Sequence, residues 1–259
     1  MAHTVFETDG PIATLTFNRP EARNAMTWEM YQSLVAACER VDGDAAIRVL
    51  IFKGAGGKAF VAGTDIAQFQ NFNNREDGLK YEERLDSVLD RLERVTKPTI
   101  AQVEGVAAGG GCAIALTCDV RVATPEATFG IPIARTLGNC LSGASYSRLL
   151  DVMTPGAVKD MLFTGRLIGG VEAHALGIVS RLAAAGEIGG TVRALAADIA
   201  ANAPLTIRAT KEMIRRVLTK RRLAAGEDAD MVELCYTSAD FREGVTAFLA
   251  KRKPSWSGS

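Results

Sequence analysis

Thr99-Ile100-Ala101-Gln102-Val103-Glu104-Gly105-Val106-Ala107-Ala108-Gly109-Gly110-Gly111-Cys112-Ala113-Ile114-Ala115-Leu116-Thr117-Cys118-Asp119-Val120-Arg121-Val122-Ala123 is the stretch whose pattern sets the fold class. Pro98 restarts the chain, and residues 99–106 read as one mainly apolar strand. Gly109 opens a helix that runs through about Leu116, and residues 119–123 are strand again. Alternation of strand and helix on this scale means α/β.

The flanking sequence repeats the alternation. Residues 4–18 read as a hairpin, with a turn at Asp9-Gly10-Pro11 and alternating character from Ile12 to Phe17. Thr27 can cap a helix carrying Met30, Tyr31, Leu34, Val35 and Cys38 at three- and four-residue spacing. A buried strand follows over residues 48–53. Residues 76–95 put Leu85, Val88, Leu89, Leu92 and Val95 on one helical face, with acids and bases expected on the other. From about residue 185 strand signals cease and three or four helices remain. The expectation is a core domain over residues 1–195 and a helical region over 196–259 that packs on its own core or on a neighbour.

Composition narrows the classes. The chain has 259 residues, 47% hydrophobic and 23% charged, too apolar for disorder and long enough to bury one large core. Thirty Lys+Arg balance thirty Asp+Glu, which argues against a protein that works by neutralising nucleic-acid phosphates. The basic run Arg208, Lys211, Arg215, Arg216, Lys220, Arg221 and Arg222 is accordingly read as a solvated or subunit-facing helix. Five scattered cysteines without a CxxC pair read as reduced thiols. His3 and His174 are too few and too isolated to hold a metal. No membrane-spanning stretch or leader stands out, so a cytoplasmic protein is expected.

Two glycine loops carry the chemistry. Lys58-Ala59-Phe60-Val61-Ala62-Gly63-Thr64-Asp65-Ile66 and Gly105-Val106-Ala107-Ala108-Gly109-Gly110-Gly111-Cys112-Ala113 each lead from a strand towards a helix. Glycines at a helix start let a ligand approach the backbone, where amide N–H groups lack helical partners and attract negative charge. Two such loops converging on one carbonyl oxygen would stabilise an enolate or tetrahedral intermediate. Tight turns and close packing are the alternative reading of the same glycines. Neither loop matches GxxxxGK[ST] or GxGxxG, so a nucleotide-phosphate reading is weak.

Several further motifs accompany the loops: Asn18-Arg19-Pro20 with Asn24-Ala25-Met26, Cys118-Asp119, Ala127-Thr128-Phe129-Gly130, and Asp240-Phe241-Arg242-Glu243-Gly244 followed by Ala247-Phe248-Leu249-Ala250-Lys251-Arg252. With them the chain resembles the crotonase, or enoyl-CoA hydratase/isomerase, superfamily over nearly its whole length. The resemblance implies a spiral of ββα units and a C-terminal helical trimerisation region. It also implies an acyl-CoA thioester substrate, no cofactor beyond the CoA of that substrate, and a homotrimer or a hexamer built as a dimer of trimers. Carried over by motif position, the backbone N–H groups of Thr64 and Gly110 would form the oxyanion hole. Ala22, Arg23, Ala62 and Ile66 would wall the CoA site, with Arg19 and Arg23 meeting phosphates. Phe248 and Lys251 match the Phe and Lys that the family's last helix brings near the adenosine.

The chain departs from the family where the chemistry resides. Hydratases of the family carry one glutamate directly after Gly-Gly-Gly-Cys and another in Phe-Gly-x-Pro-Glu; here those positions are Ala113 and Ile133. Neither side chain can activate water or deliver a proton, so two-carboxylate hydration is not expected. The acyl-pocket segment also differs, and Arg135, Asn139, Cys140, Ser142 and Tyr146 are its candidate polar groups. Asp65, beside the first loop, is a candidate acid or base, against the alternative that it starts the next helix. The expected activity is acyl-CoA processing through a stabilised thioester enolate. Decarboxylation, thioester hydrolysis or acyl-CoA binding without catalysis are the alternatives.

Overall fold

The computed structural model describes residues 2–70, 72, 74–224 and 226–258. The hairpin forms as β1 (Thr4–Asp9) and β2 (Ile12–Phe17), antiparallel across the Gly10-Pro11 turn. The Thr27 hydroxyl accepts from Met30 N to start α1 (Trp28–Gly43). Three successive strand–strand–helix turns follow: β3 (Val49–Gly54), β4 (Ala59–Val61) and α2 (Arg75–Glu93); β5 (Thr99–Val103), β6 (Val106–Ala108) and α3 (Gly110–Thr117); β7 (Val120–Ala123), β8 (Thr128–Gly130) and α4 (Ile133–Thr136). The chain continues through α5 (Gly143–Val152), α6 (Pro155–Thr164), β9 (Ile168–Gly169), α7 (Gly170–Ala175) and β10 (Arg181–Leu182). Four helices close it: α8 (Ile188–Ala201), α9 (Pro204–Thr219), α10 (Ala229–Tyr236) and α11 (Ala239–Leu249).

Each turn of the spiral gives its first strand to one sheet and its second to another. The larger sheet runs β1-β2-β3-β5-β7-β10 and the smaller β4-β6-β8-β9. Residues 99–106, read from sequence as one strand, are therefore two strands in two sheets, broken at Glu104-Gly105. The run hides the break because β5 is buried throughout and β6 is buried or half-buried, so hydropathy alone marks no boundary between them.

α2 buries more than its leucine stripe. Leu85, Val88, Leu89 and Leu92 are buried as expected, but Glu82 lies on the same side and is only 3% exposed. α10 packs over this part of α2, and Tyr236 fits against Gly78, so the buried arc is wider than the leucine stripe.

α8 covers the larger sheet, with Ile188, Val192, Leu195 and Ala196 against Val49, Ile51, Ile100 and Val122. α10 and α11 fold back over the chain's own core through Val232, Tyr236, Phe241 and Val245. α9 has no buried residue and exposes Leu205, Met213, Ile214 and Val217. Its basic residues are partly spent on ion pairs: Lys211 on Asp119, Arg215 and Arg216 on Glu212. Arg222, just beyond it, pairs with Glu93 and Asp151. Among the described residues no helix is long and apolar enough to cross a membrane, and no cluster of three metal-ligating side chains occurs.

Candidate active site

The loop after β2 is pinned by Asn24, which is fully buried in a left-handed conformation at φ 57°. Its Oδ1 accepts from Arg19 N, and its Nδ2 donates to the carbonyls of Ala55 and Ala59. This knot holds Arg19, Ala22 and Arg23 beside the loop that follows β4. That loop is fixed in turn to Met26, which donates to the Gly63 carbonyl and accepts from Asp65 N.

The second glycine loop lies against the first. A β-carbon on Gly111 would stand 2.1 Å from the Val61 carbonyl oxygen, so only glycine lets α3 press onto β4. A β-carbon on Gly110 would stand 2.4 Å from the Tyr31 hydroxyl and 3.1 Å from Thr64 Oγ1. Among the described residues, the backbone N–H groups of Thr64 and Gly110 have no acceptor within the protein. Thr64 Oγ1 is held by the hydroxyls of Tyr31, at 2.8 Å, and Tyr81, at 3.0 Å.

These elements enclose a cavity of about 640 Å³. Of the residues singled out from sequence, Thr64, Asp65, Gly110, Ala22, Arg23, Ala62, Ile66, Asn139 and Phe248 line it. Cys140 and Lys251 are not among its lining residues. The Cys140 thiol turns to the Met231 carbonyl at 3.3 Å, and its hydrogen bond with Cys235 together with burial pushes it up, away from nucleophilic use. Lys251 is exposed past the end of α11. Asp65 accepts from Ala67 N as a helix cap and pairs with the Arg19 guanidinium at 2.8 Å, so it serves as a cap and an ion-pair partner. His174 is satisfied by the Val179 carbonyl, outside the cavity.

Ala113 and Ile133 both line the cavity, amid Leu85, Leu89, Leu137 and Leu149. One carboxyl stands in this apolar wall and escaped the sequence reading: Glu82. Its Oε1 accepts from the Tyr236 hydroxyl at 2.5 Å and its Oε2 from Ser142 N at 2.9 Å. Burial pushes the carboxyl up to about 8 against the opposing pull of the Tyr236 hydrogen bond. The signal was present in the spacing, since Glu82 precedes Leu85 by three and Leu89 by seven residues, the interval of one helical face.

In the same wall Arg148 pairs with Asp86 at 3.1 Å and with Asp90. Ser142 caps α5 and donates to Asp86, so the segment leading into α5 is anchored to α2.

Residues 7–259 match the family model described as enoyl-CoA hydratase/isomerase. A short-chain-enoyl-CoA hydratase of Clostridium acetobutylicum is 33% identical over 252 residues, covering 97% of this chain and 96% of its own. A crotonyl-CoA hydratase of Syntrophomonas wolfei is 34% identical over 253 residues, covering 97% and 96%. A solved structure of methylmalonyl-CoA decarboxylase in complex with 2-nitronate-propionyl-CoA superposes with a TM-score of 0.91 at 27% identity, covering 100% of this chain and 99% of that one.

Proposed function

Since the chain belongs to the enoyl-CoA hydratase/isomerase family, we propose that it binds an acyl-CoA thioester in the cavity and stabilises its enolate on the backbone N–H groups of Thr64 and Gly110. The observation that carries this is the pair of N–H groups, both without a protein acceptor, on two loops in contact beside one cavity. Fixed donors of this kind act where charge develops, and losing one typically costs about 3–4 kcal/mol of transition-state stabilisation. Arg19 and Arg23 supply positive charge at the cavity wall for the CoA phosphates, and the apolar wall takes the acyl chain.

Two-carboxylate hydration is not expected, because the two positions carry Ala113 and Ile133 in the cavity wall. Loss of CO₂ from a malonyl-type thioester produces the enolate without a protein base, and the backbone likeness to methylmalonyl-CoA decarboxylase favours that second reading. Outward-facing Leu205, Met213, Ile214 and Val217 on α9 suit self-association into a trimer.

Calorimetry with butyryl-CoA, joined to turnover assays on crotonyl-, 3-enoyl-, malonyl-type and 3-hydroxyacyl-CoA, tests the reading. Acyl-CoA binding with slow or no crotonyl-CoA hydration is expected. Rapid hydration would show that the missing carboxylates are replaced in that chemistry, and absence of binding would overturn the proposal.

A further inference from the structure

We propose that the Glu82 carboxyl is the acid–base group of this cavity, exchanging a proton with the enolate carbon of the bound thioester; the proposal rests on the acyl-CoA reading above. Six described residues with ionisable side chains line the cavity: Arg19, Arg23, Asp65, Tyr81, Glu82 and Arg148. The three guanidiniums do not release protons near neutrality. Asp65 is tied to Arg19 and to the Ala67 amide. The Tyr81 phenol is pushed well above its ordinary value by burial, and its oxygen sits 3.0 Å from Thr64 Oγ1. Glu82 alone is left to move a proton.

Its setting suits that task. The carboxyl is 3% exposed, lies in a wall made largely of leucines, and takes one hydrogen bond on each oxygen from groups of two other elements. Tyr236 from α10 and the Ser142 amide at the start of α5 fix its orientation, and each carboxylate oxygen keeps a second lone pair. Burial raises the carboxyl to about 8, so both protonation states are populated close to neutral pH, as proton transfer requires. The charged and titratable groups around it are Tyr81 and Asp86 on its own helix, Tyr31 from α1, Asp228 and Tyr236 from the C-terminal side, Cys140, Tyr146 and Arg148. The two aspartates raise Glu82 further.

The step balances without a cofactor. Glu82 as carboxylate takes a proton from the α-carbon, and the C–H electron pair becomes the enolate, whose charge rests on the thioester oxygen. Glu82, now protonated, trades that proton with solvent and returns a solvent-derived proton to the same carbon. Where the enolate arises by loss of CO₂, the C–C pair forms it and protonated Glu82 supplies the proton that ends the reaction.

Solvent exchange isolates this step from the overall reaction. Full-length protein is mixed with butyryl-CoA in deuterated water, the α-proton signal is followed by NMR, and affinity is measured by calorimetry. The expected result is catalysed loss of that signal, rising with pH to a plateau above about 8. Glu82→Gln slows exchange by about 100-fold or more with affinity unchanged, and Glu82→Asp restores part of the rate. Exchange by Glu82→Gln at the wild-type rate, or no exchange by wild-type protein that binds butyryl-CoA, overturns the role of Glu82 and leaves the acyl-CoA reading standing. No binding by the wild type overturns both. Should Glu82→Gln not fold, the wild-type profile decides: a rate flat from about pH 6 to about pH 9 overturns the proposal.

Discussion

The Tyr236 hydroxyl donates to Glu82 Oε1 at 2.5 Å, joining the end of α10 to the middle of α2 across 154 positions of sequence. The bond places a C-terminal helix against the wall of the chain's own cavity. It also gives a buried acid a partner without a full counter-charge, which is why burial dominates its titration.

Stability should therefore depend on pH through Glu82. Unfolded, the carboxyl titrates near ~4.3, whereas folded it titrates at about 8. Between those values the native state keeps a proton that the unfolded state releases, so this contribution is complete at low pH and declines until about 8. Glu82→Gln removes the dependence. From about pH 5 to about pH 8 the variant should gain on the wild type by on the order of 3 kcal/mol. Urea unfolding at both pH values checks it, and an unchanged difference refutes the assignment.

Gly110→Pro removes one N–H at the first position of α3, where proline is ordinarily tolerated. The ring would meet the Tyr31 hydroxyl, so the variant is made together with Tyr31→Phe, using Tyr31→Phe alone as the reference. Turnover, or α-proton exchange, should fall by about 10²–10³-fold with acyl-CoA affinity much less affected. Equal kcat in the two proteins would remove Gly110 from the oxyanion site.

Ala113→Glu with Ile133→Glu restores a carboxylate pair to the cavity wall. Crotonyl-CoA hydration should rise by about tenfold or more over the wild type. If the folded double variant hydrates no faster, the two positions are not what limits that chemistry here.

Arg148→Ala removes the guanidinium that Asp86 and Asp90 share, leaving Asp90 only the longer pair with Arg94. The cost should be about 2–3 kcal/mol, below that of a fully enclosed pair because Asp90 is partly open to solvent. Chemical denaturation measures it; a loss under about 0.5 kcal/mol would mean that the network adds nothing.

Ile214→Glu with Val217→Glu puts charge on the exposed apolar face of α9. Light scattering should find the wild type as a trimer or hexamer and the variant as a smaller species. A wild-type monomer would refute self-association through this face.

The sequence by itself determined the α/β class, the hairpin, the capped α1, the helical character of the C-terminal region and the family, because these rest on local periodicity and on motifs read in order. It also raised the expectation that Ala113 and Ile133 stand where hydratases of the family carry glutamates. Tertiary structure alone divided residues 99–106 between two sheets, since an apolar run looks the same whichever sheet receives it. It alone set Gly109 beside Gly63, with room for no more than an ordinary contact from a β-carbon, turned Cys140 from the cavity and left Lys251 outside it. Glu82 lies between the two cases. Its spacing from Leu85 and Leu89 was legible, but which arc of an amphipathic helix is buried depends on what packs against it, and α10 arrives from the far end of the chain.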